Sequence, residues 1–149
     1  MNLVVMGKQG WGAEEVAERL HSHAECGKRL VWFDGISDEC MERVCAASTC
    51  LIAASEGEDL GLPLIEAAKH KLPIIARDIP LFRELAGEHA YYFSGLGGQD
   101  LATAIDDWLQ LHGEGRQPKS DAMPWLTWKE SAEQLKRALC FSPAPARDA

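Results

Sequence analysis

The residues of this chain best suited to chemistry cluster in the stretch Ser55-Glu56-Gly57-Glu58-Asp59-Leu60-Gly61-Leu62-Pro63-Leu64-Ile65-Glu66. An apolar, strand-like run (residues 50–54) precedes it, and a helix-like run (residues 64–71) follows. Gly57 and Gly61 permit backbone conformations that a side chain penalises, and they let a ligand approach the main chain. Pro63 suits the first turn of a helix, where its missing N–H costs nothing. The free N–H groups around it, together with the helix dipole, form a cradle for a phosphate. Glu58 lies before the turn and Glu66 one turn inside the helix. Carboxylates beside a phosphate repel it, so the pair reads as acceptors for neutral hydroxyl donors, as on a sugar or a ribose. The same residue types also describe a helix entry whose acids favour the dipole and face solvent. Residue chemistry alone leaves both readings open.

The elements that must position this stretch alternate regularly. Residues 2–6 read as a buried strand, followed by the turn Gly7-Lys8-Gln9-Gly10-Trp11-Gly12 and a helix over 13–23 with Val16, Ala17 and Leu20 on its apolar face. Lys8 reads as a solvated loop lysine rather than a phosphate contact. Residues 29–33 form the next strand, and Ser37 is placed to cap a helix over 38–47 whose opening Asp38 and Glu39 suit the positive dipole end. After the strand at 50–54 and the helix at 64–71 come a strand at 73–76 and a short helix within 78–87, entered through Pro80. There Arg83 and Glu84 read as a surface ion pair. Residues 91–93 suit an outer strand, and 100–111 an amphipathic helix through Leu101, Ile105, Trp108 and Leu109. A polar loop over 113–124 leads to Thr127 and Glu130, a capping box for a helix over 128–139. Strands separated by helices of this length predict an α/β fold, a Rossmann-like parallel sheet flanked by helices. In such sheets ligands sit at the carboxyl ends of the strands, where the Ser55 to Glu66 stretch falls.

The 149 residues suit one domain, taken here as 1–139 with a flexible, proline- and alanine-rich tail over 140–149, and 46% hydrophobic content is ample for a core. A formal net charge of −8 without a basic cluster argues against nucleic-acid binding and gives no polybasic lipid anchor. No apolar stretch approaches the length of a membrane span, and the chain reads as cytoplasmic. Five cysteines, at 26, 40, 45, 50 and 140, lack Cys-x-x-Cys spacing and read as buried, reduced thiols. His21 and His23, two apart on a helix, face away from each other, so no metal site is expected.

The run from Glu58 to Ala67, Glu-Asp-Leu-Gly-Leu-Pro-Leu-Ile-Glu-Ala, resembles the Glu-Gly-Phe-Gly-Leu-Pro-x-x-Glu-Ala signature of retaining, nucleotide-sugar-dependent glycosyltransferases with the two-domain GT-B fold. In both, the two glutamates stand eight positions apart. Asp59 and Leu60 replace the usual Gly-Phe. The resemblance extends from Leu3 to about Leu139 and includes Gly7-x-x-Gly10-Trp11 after the first strand and the run Phe33-Asp34-Gly35-Ile36-Ser37, which corresponds to the family's Phe-x-Gly-x-x-Ser segment. It implies the donor-binding half of a GT-B fold, with Glu58 on the sugar hydroxyls, Glu66 on the ribose hydroxyls, the amides near Gly61 and Leu62 on the departing phosphate, and Pro63 beside them in the nucleotide-sugar site. Gly7 would line the nucleotide site. Ile36 is a base contact or, equally, a loop-anchoring apolar residue. The implied substrate is a UDP- or GDP-sugar, with no further cofactor and no metal. The implied reaction transfers a hexose to a glycan or lipid-linked acceptor in polysaccharide or lipopolysaccharide biosynthesis. The turn around Trp11 resembles that of bacterial surface-polysaccharide members, many of them mannosyltransferases.

Two parts of the family pattern have no counterpart here. One is the acceptor-binding amino-terminal domain. The other is the donor domain's first strand with a Gly-Arg…Lys-Gly segment whose cations neutralise the diphosphate; neither Lys8 nor Arg77 matches their positions. With the usual strand order 3-2-1-4-5-6, the strand without a counterpart is central, so the sheet is expected to show a gap or a rearranged pairing. The chain alone is therefore expected to be marginally stable, or to pair with another copy or an upstream polypeptide. Its alternative identity is a catalytically silent fragment or a subunit that completes its site with a separate chain.

Overall fold

The computed structural model describes residues 1–10 and 12–140. The reading of Trp11 and that of the tail beyond Cys140 lie outside the described residues. The chain divides into two compact units, with the boundary between Thr49 and Cys50.

The first unit holds β1 (Leu3–Met6), α1 (Glu14–Ser22), β2 (Leu30–Phe33) and α2 (Asp38–Ala47). β1 and β2 run parallel, with Leu3 opposite Leu30 and Met6 opposite Phe33. The ladder continues one residue further, where the Gly7 N–H donates to Phe33 O at 3.1 Å. The Trp32 indole donates to Gly7 O at 2.8 Å and stacks on His21, so the turn after β1 is tied to β2 and α1. Ser37 caps α2 as expected, its Oγ accepting from the Cys40 N–H at 3.3 Å. The apolar face of α1 differs from expectation, because Val16 is 57% exposed and Ala17 is the buried residue. The inward stripe is Ala13, Ala17 and Leu20, at i, i+4 and i+7. Val16 precedes Ala17 by about 100° of helix rotation and falls outside it.

The second unit holds β3 (Leu51–Ala53), α3 (Leu62–Lys69), β4 (Ile74–Arg77), α4 (Pro80–Ala86), β5 (Tyr91–Phe93), α5 (Gly98–Gly113) and α6 (Trp128–Cys140). Its sheet is parallel in the order β3-β4-β5. Ile74, Ile75 and Ala76 of central β4 are wholly buried, as expected of a parallel strand covered on both faces. Ile75 joins Phe93, Ala104 and Trp108 in a cluster between sheet and α5. Strand alternation sends Ile74 and Ala76 to the other face. α5 buries Trp108 completely, with Leu101, Ala104 and Ile105 beside it, whereas Leu109 is 42% exposed. The buried stripe thus runs 101, 104, 105, 108, and Leu109 lies one step beyond it.

The loop after α5 is better anchored than its polar composition suggests. Ser120 is buried and donates to Leu72 O at 2.9 Å, and Met123 is buried beside it in sequence. At the start of α6, Glu130 accepts from the Thr127 N–H at 2.8 Å while the Glu130 N–H donates to Thr127 Oγ1 at 3.2 Å, the expected reciprocal cap.

Among the described residues β1 pairs with β2, β3 pairs with β4, and no ladder links the two sets. No helix among the described residues is long and apolar enough to cross a membrane.

Candidate functional site

The Glu58 to Glu66 stretch forms the connection from β3 into α3, at the carboxyl end of a parallel strand. Gly61 is the residue that enforces its geometry. As the cap of α3 it sits at φ +63° and ψ 27°, a left-handed conformation costly for other residues. A Cβ at this position would also collide with Leu85 of α4. The helix therefore starts at Leu62, two residues before the sequence-based boundary, with Pro63 in its first turn. The Gly61 carbonyl accepts from the Leu64 N–H at 3.0 Å and the Ile65 N–H at 3.4 Å. No carbonyl among the described residues accepts from the N–H groups of Gly61 or Leu62. The dipole's positive end thus carries two free donors next to each other, the minimum equipment for holding an anion.

The acids flank this end. Glu58 is half-buried in the loop, and Glu66 lies on the second turn of α3 with its side chain 37% exposed. Glu66 Oε2 stands 3.8 Å from Lys69 Nζ, an exposed pair too loose for a hydrogen bond, so its oxygens stay open to hydroxyl donors. Leu60, Leu62 and Pro63 are exposed around the free amides and give the region an apolar rim.

Glu58, Gly61, Leu62, Pro63 and Glu66 therefore share one strand–loop–helix segment of the second unit. Gly7 and Ile36 belong to the first unit, each just beyond the carboxyl end of its strand. Both polar backbone groups of Gly7 are engaged within the protein, so what it offers a ligand is close approach rather than a donor. Ile36 is half-buried. Lys8 is exposed and lies along Gly35.

Sequence reasoning missed Arg77. It ends β4, its Nε donates to Ala54 O at 3.0 Å, and its guanidinium carbon lies 5.0 Å from the centre of the Phe93 ring. Its Nη1 is buried with no hydrogen-bond partner among the described residues. The available signal was a cation closing an otherwise apolar strand, Ile74-Ile75-Ala76-Arg77. Arg83 also differs from expectation, for its partner is Asp78, not Glu84. Nε and Nη2 reach the two carboxylate oxygens of Asp78 at 2.7 Å each, and the guanidinium covers the Tyr92 ring at 3.7 Å. These hydrogen bonds hold the Asp78 carboxyl below its usual range. The fork closes the turn into α4, whose Leu85 in turn abuts Gly61.

Other titratable groups lie away from this chemistry. Cys26, Cys40 and Cys50 are half-buried thiols and Cys45 a buried one, so full burial holds for one of the four described cysteines. Burial pushes the Cys50 thiol up, away from reactivity. His23 accepts the Glu25 N–H, while His21 contacts Ala17 O. Among the described residues no group of three His, Cys, Asp or Glu is placed to hold a metal ion.

Comparison with known proteins agrees with this arrangement. The family model for glycosyl transferases group 1 matches residues 1–122. Among curated proteins, the serotype-specific mannosyltransferase WbdA of Escherichia coli is 51% identical over 138 residues, 93% of this chain but 17% of that protein's length. The chain thus spans about a sixth of that relative. Among solved structures, sucrose-phosphate synthase from Thermosynechococcus elongatus superposes with a TM-score of 0.71 at 22% identity, over 93% of this chain and 38% of the other. Anabaena HepE, solved in complex with UDP and glucose, gives a TM-score of 0.69 at 16% identity, over 93% of this chain and 40% of the other. These likenesses are to GT-B glycosyltransferases and establish the fold.

Proposed function

This chain belongs to the glycosyl transferases group 1 family, and we propose that it is the donor-binding domain of a retaining hexosyltransferase. The observation that carries the reading is the pair Glu58 and Glu66, eight positions apart, on either side of a helix start whose Gly61 and Leu62 N–H groups have no backbone acceptor among the described residues. The proposed roles follow from charge. The free amides and the dipole take the diphosphate, above all the negative charge that grows on the leaving phosphate as the glycosidic bond breaks. Carboxylates repel that group but accept well from hydroxyls, so Glu58 binds and orients the transferred sugar and Glu66 holds the ribose. Pro63 fixes the first turn without using a donor. In the first unit, Ile36 and Gly7 are the proposed nucleotide contacts.

The donor is a UDP- or GDP-hexose. Mannose is the leading sugar because of the 51% identity to a mannosyltransferase. HepE, with its bound UDP and glucose, supports a nucleotide diphosphate sugar as the ligand class. Transfer to a glycan or lipid-linked acceptor, in surface-polysaccharide assembly, is proposed for this domain together with an acceptor-binding domain, on the same polypeptide or a separate one. A cytoplasmic setting, in which reduced thiols such as those of Cys26, Cys40 and Cys50 persist, belongs to the same reading.

The test is titration of the chain with UDP, GDP and their hexose conjugates. Saturable binding to one base is expected, and no binding to any of the four by a folded sample contradicts the proposal.

A further inference from the structure

The loop over 55–60 carries Glu56, Glu58 and Asp59 and no cation. Its far end is set by Gly61 against Leu85. Its near end is held by Ala54, whose side chain packs against the core cluster, and by Arg77, whose Nε donates to the Ala54 carbonyl at 3.0 Å while Phe93 supports the guanidinium face. A guanidinium has five N–H donors in a fixed fork, and a buried charged donor without an acceptor is costly to keep. Nη1 is such a donor.

We propose that Arg77 is the positioning residue of the 55–60 loop: Nε pins the loop's root at Ala54, and Nη1 is held for an acceptor that the loop supplies when a bound nucleoside diphosphate orders it. Arg77 then acts on the donor through Glu58, which it does not need to touch. The second half of this statement rests on the donor-binding reading, and the first half does not. The acidic loop and the half-buried cation complement each other in charge, and the fork geometry explains why the position is occupied by Arg rather than by Lys, whose point charge lacks a second aligned donor.

The experiment is limited cleavage of the full chain by a glutamate-specific protease, with the cut sites read by mass spectrometry, with and without UDP or GDP, for the wild type, Arg77→Lys and Arg77→Met. Arg77→Met keeps an unbranched stem over Phe93, and Arg77→Lys keeps the charge, so at least one variant retaining the β4 ladder is expected. Without nucleotide, both variants should be cut after Glu56 and Glu58 about tenfold faster than the wild type, while hydrogen exchange of β4 and α5 stays within about twofold. With saturating nucleotide, cleavage of the wild-type loop should slow further and that of the variant loops should not. Unchanged loop cleavage in a folded variant overturns the proposal. So does acceleration of loop cleavage and of β4 and α5 exchange in equal proportion, which marks Arg77 as general scaffold. A wild type that binds neither nucleotide, yet loses loop protection on Arg77→Lys, removes the donor-binding reading and keeps Arg77 as the loop's anchor.

Discussion

At the scale of single residues, the chemistry depends on a glycine that has no chemistry of its own. Gly61 combines a positive φ with contact against Leu85, so a methyl group there meets both backbone strain and a steric clash. Gly61→Ala should therefore destabilise the second unit by about 1–3 kcal/mol in urea denaturation. Nucleotide binding should fall even where the variant stays folded, because the free amides move. Asp78 offers a pH test. Its carboxyl is held below the usual range by Arg83, so its contribution is present above the unfolded-state value and is lost as pH falls through the folded-state value. The stability difference between wild type and Asp78→Asn should shrink steadily as denaturation is repeated toward acid, and a difference independent of pH would show that the Arg83 fork is not the cause. The spacing of Glu58 and Glu66, the role of Pro63 and the cap at Ser37 were legible because each is a local rule of a few neighbouring residues. Arg77 and the Asp78–Arg83 fork were not. Their partners, Ala54, Phe93 and Tyr92, are fixed by strand register and turn geometry rather than by spacing along the chain.

At the scale of elements, the alternation of strands and helices was readable almost throughout, and α2 and β5 have the expected bounds. The two misplaced helix faces have one physical origin. Val16 and Leu109 are apolar and adjacent to the buried stripe, but burial follows the contact face of the helix, not residue type, and each lies one step off it. Trp108 marks the real face of α5. Fully buried against Ile75 and Phe93, it should cost about 3–5 kcal/mol on Trp108→Ala, enough to unfold the second unit at moderate temperature. Leu109→Ala, one residue away, should stay within about 0.5 kcal/mol of the wild type. Equal effects of the two substitutions in thermal denaturation would contradict the assignment of the helix face.

At the scale of the whole molecule, no ladder among the described residues joins β1 and β2 to β3, β4 and β5, and the two units carry unequal cores. The first buries only Ala17, Leu30 and Cys45 among its described residues, while the second buries a wholly enclosed central strand together with Leu64, Phe82 and Trp108. Stability should follow burial, so amides of β1 and β2 should exchange well before those of β4 in the same sample. A single cooperative transition with uniform protection would contradict this and would also sink the expectation of marginal stability for the chain alone. That no ladder among the described residues joins the two sets was legible only through the family resemblance, since the apolar runs at 2–6 and 50–54 by themselves contain nothing that forbids their pairing.

The most direct test of the central claim is a calorimetric titration of the wild type and Glu66→Ala with whichever of UDP or GDP the wild type binds. A carboxylate that accepts from the ribose contributes a charge-assisted hydrogen bond, so Glu66→Ala should weaken the nucleotide about tenfold or more while leaving the fold intact. Equal affinities for the two proteins would show that α3 does not hold the nucleotide, and the donor-binding assignment would fall with it.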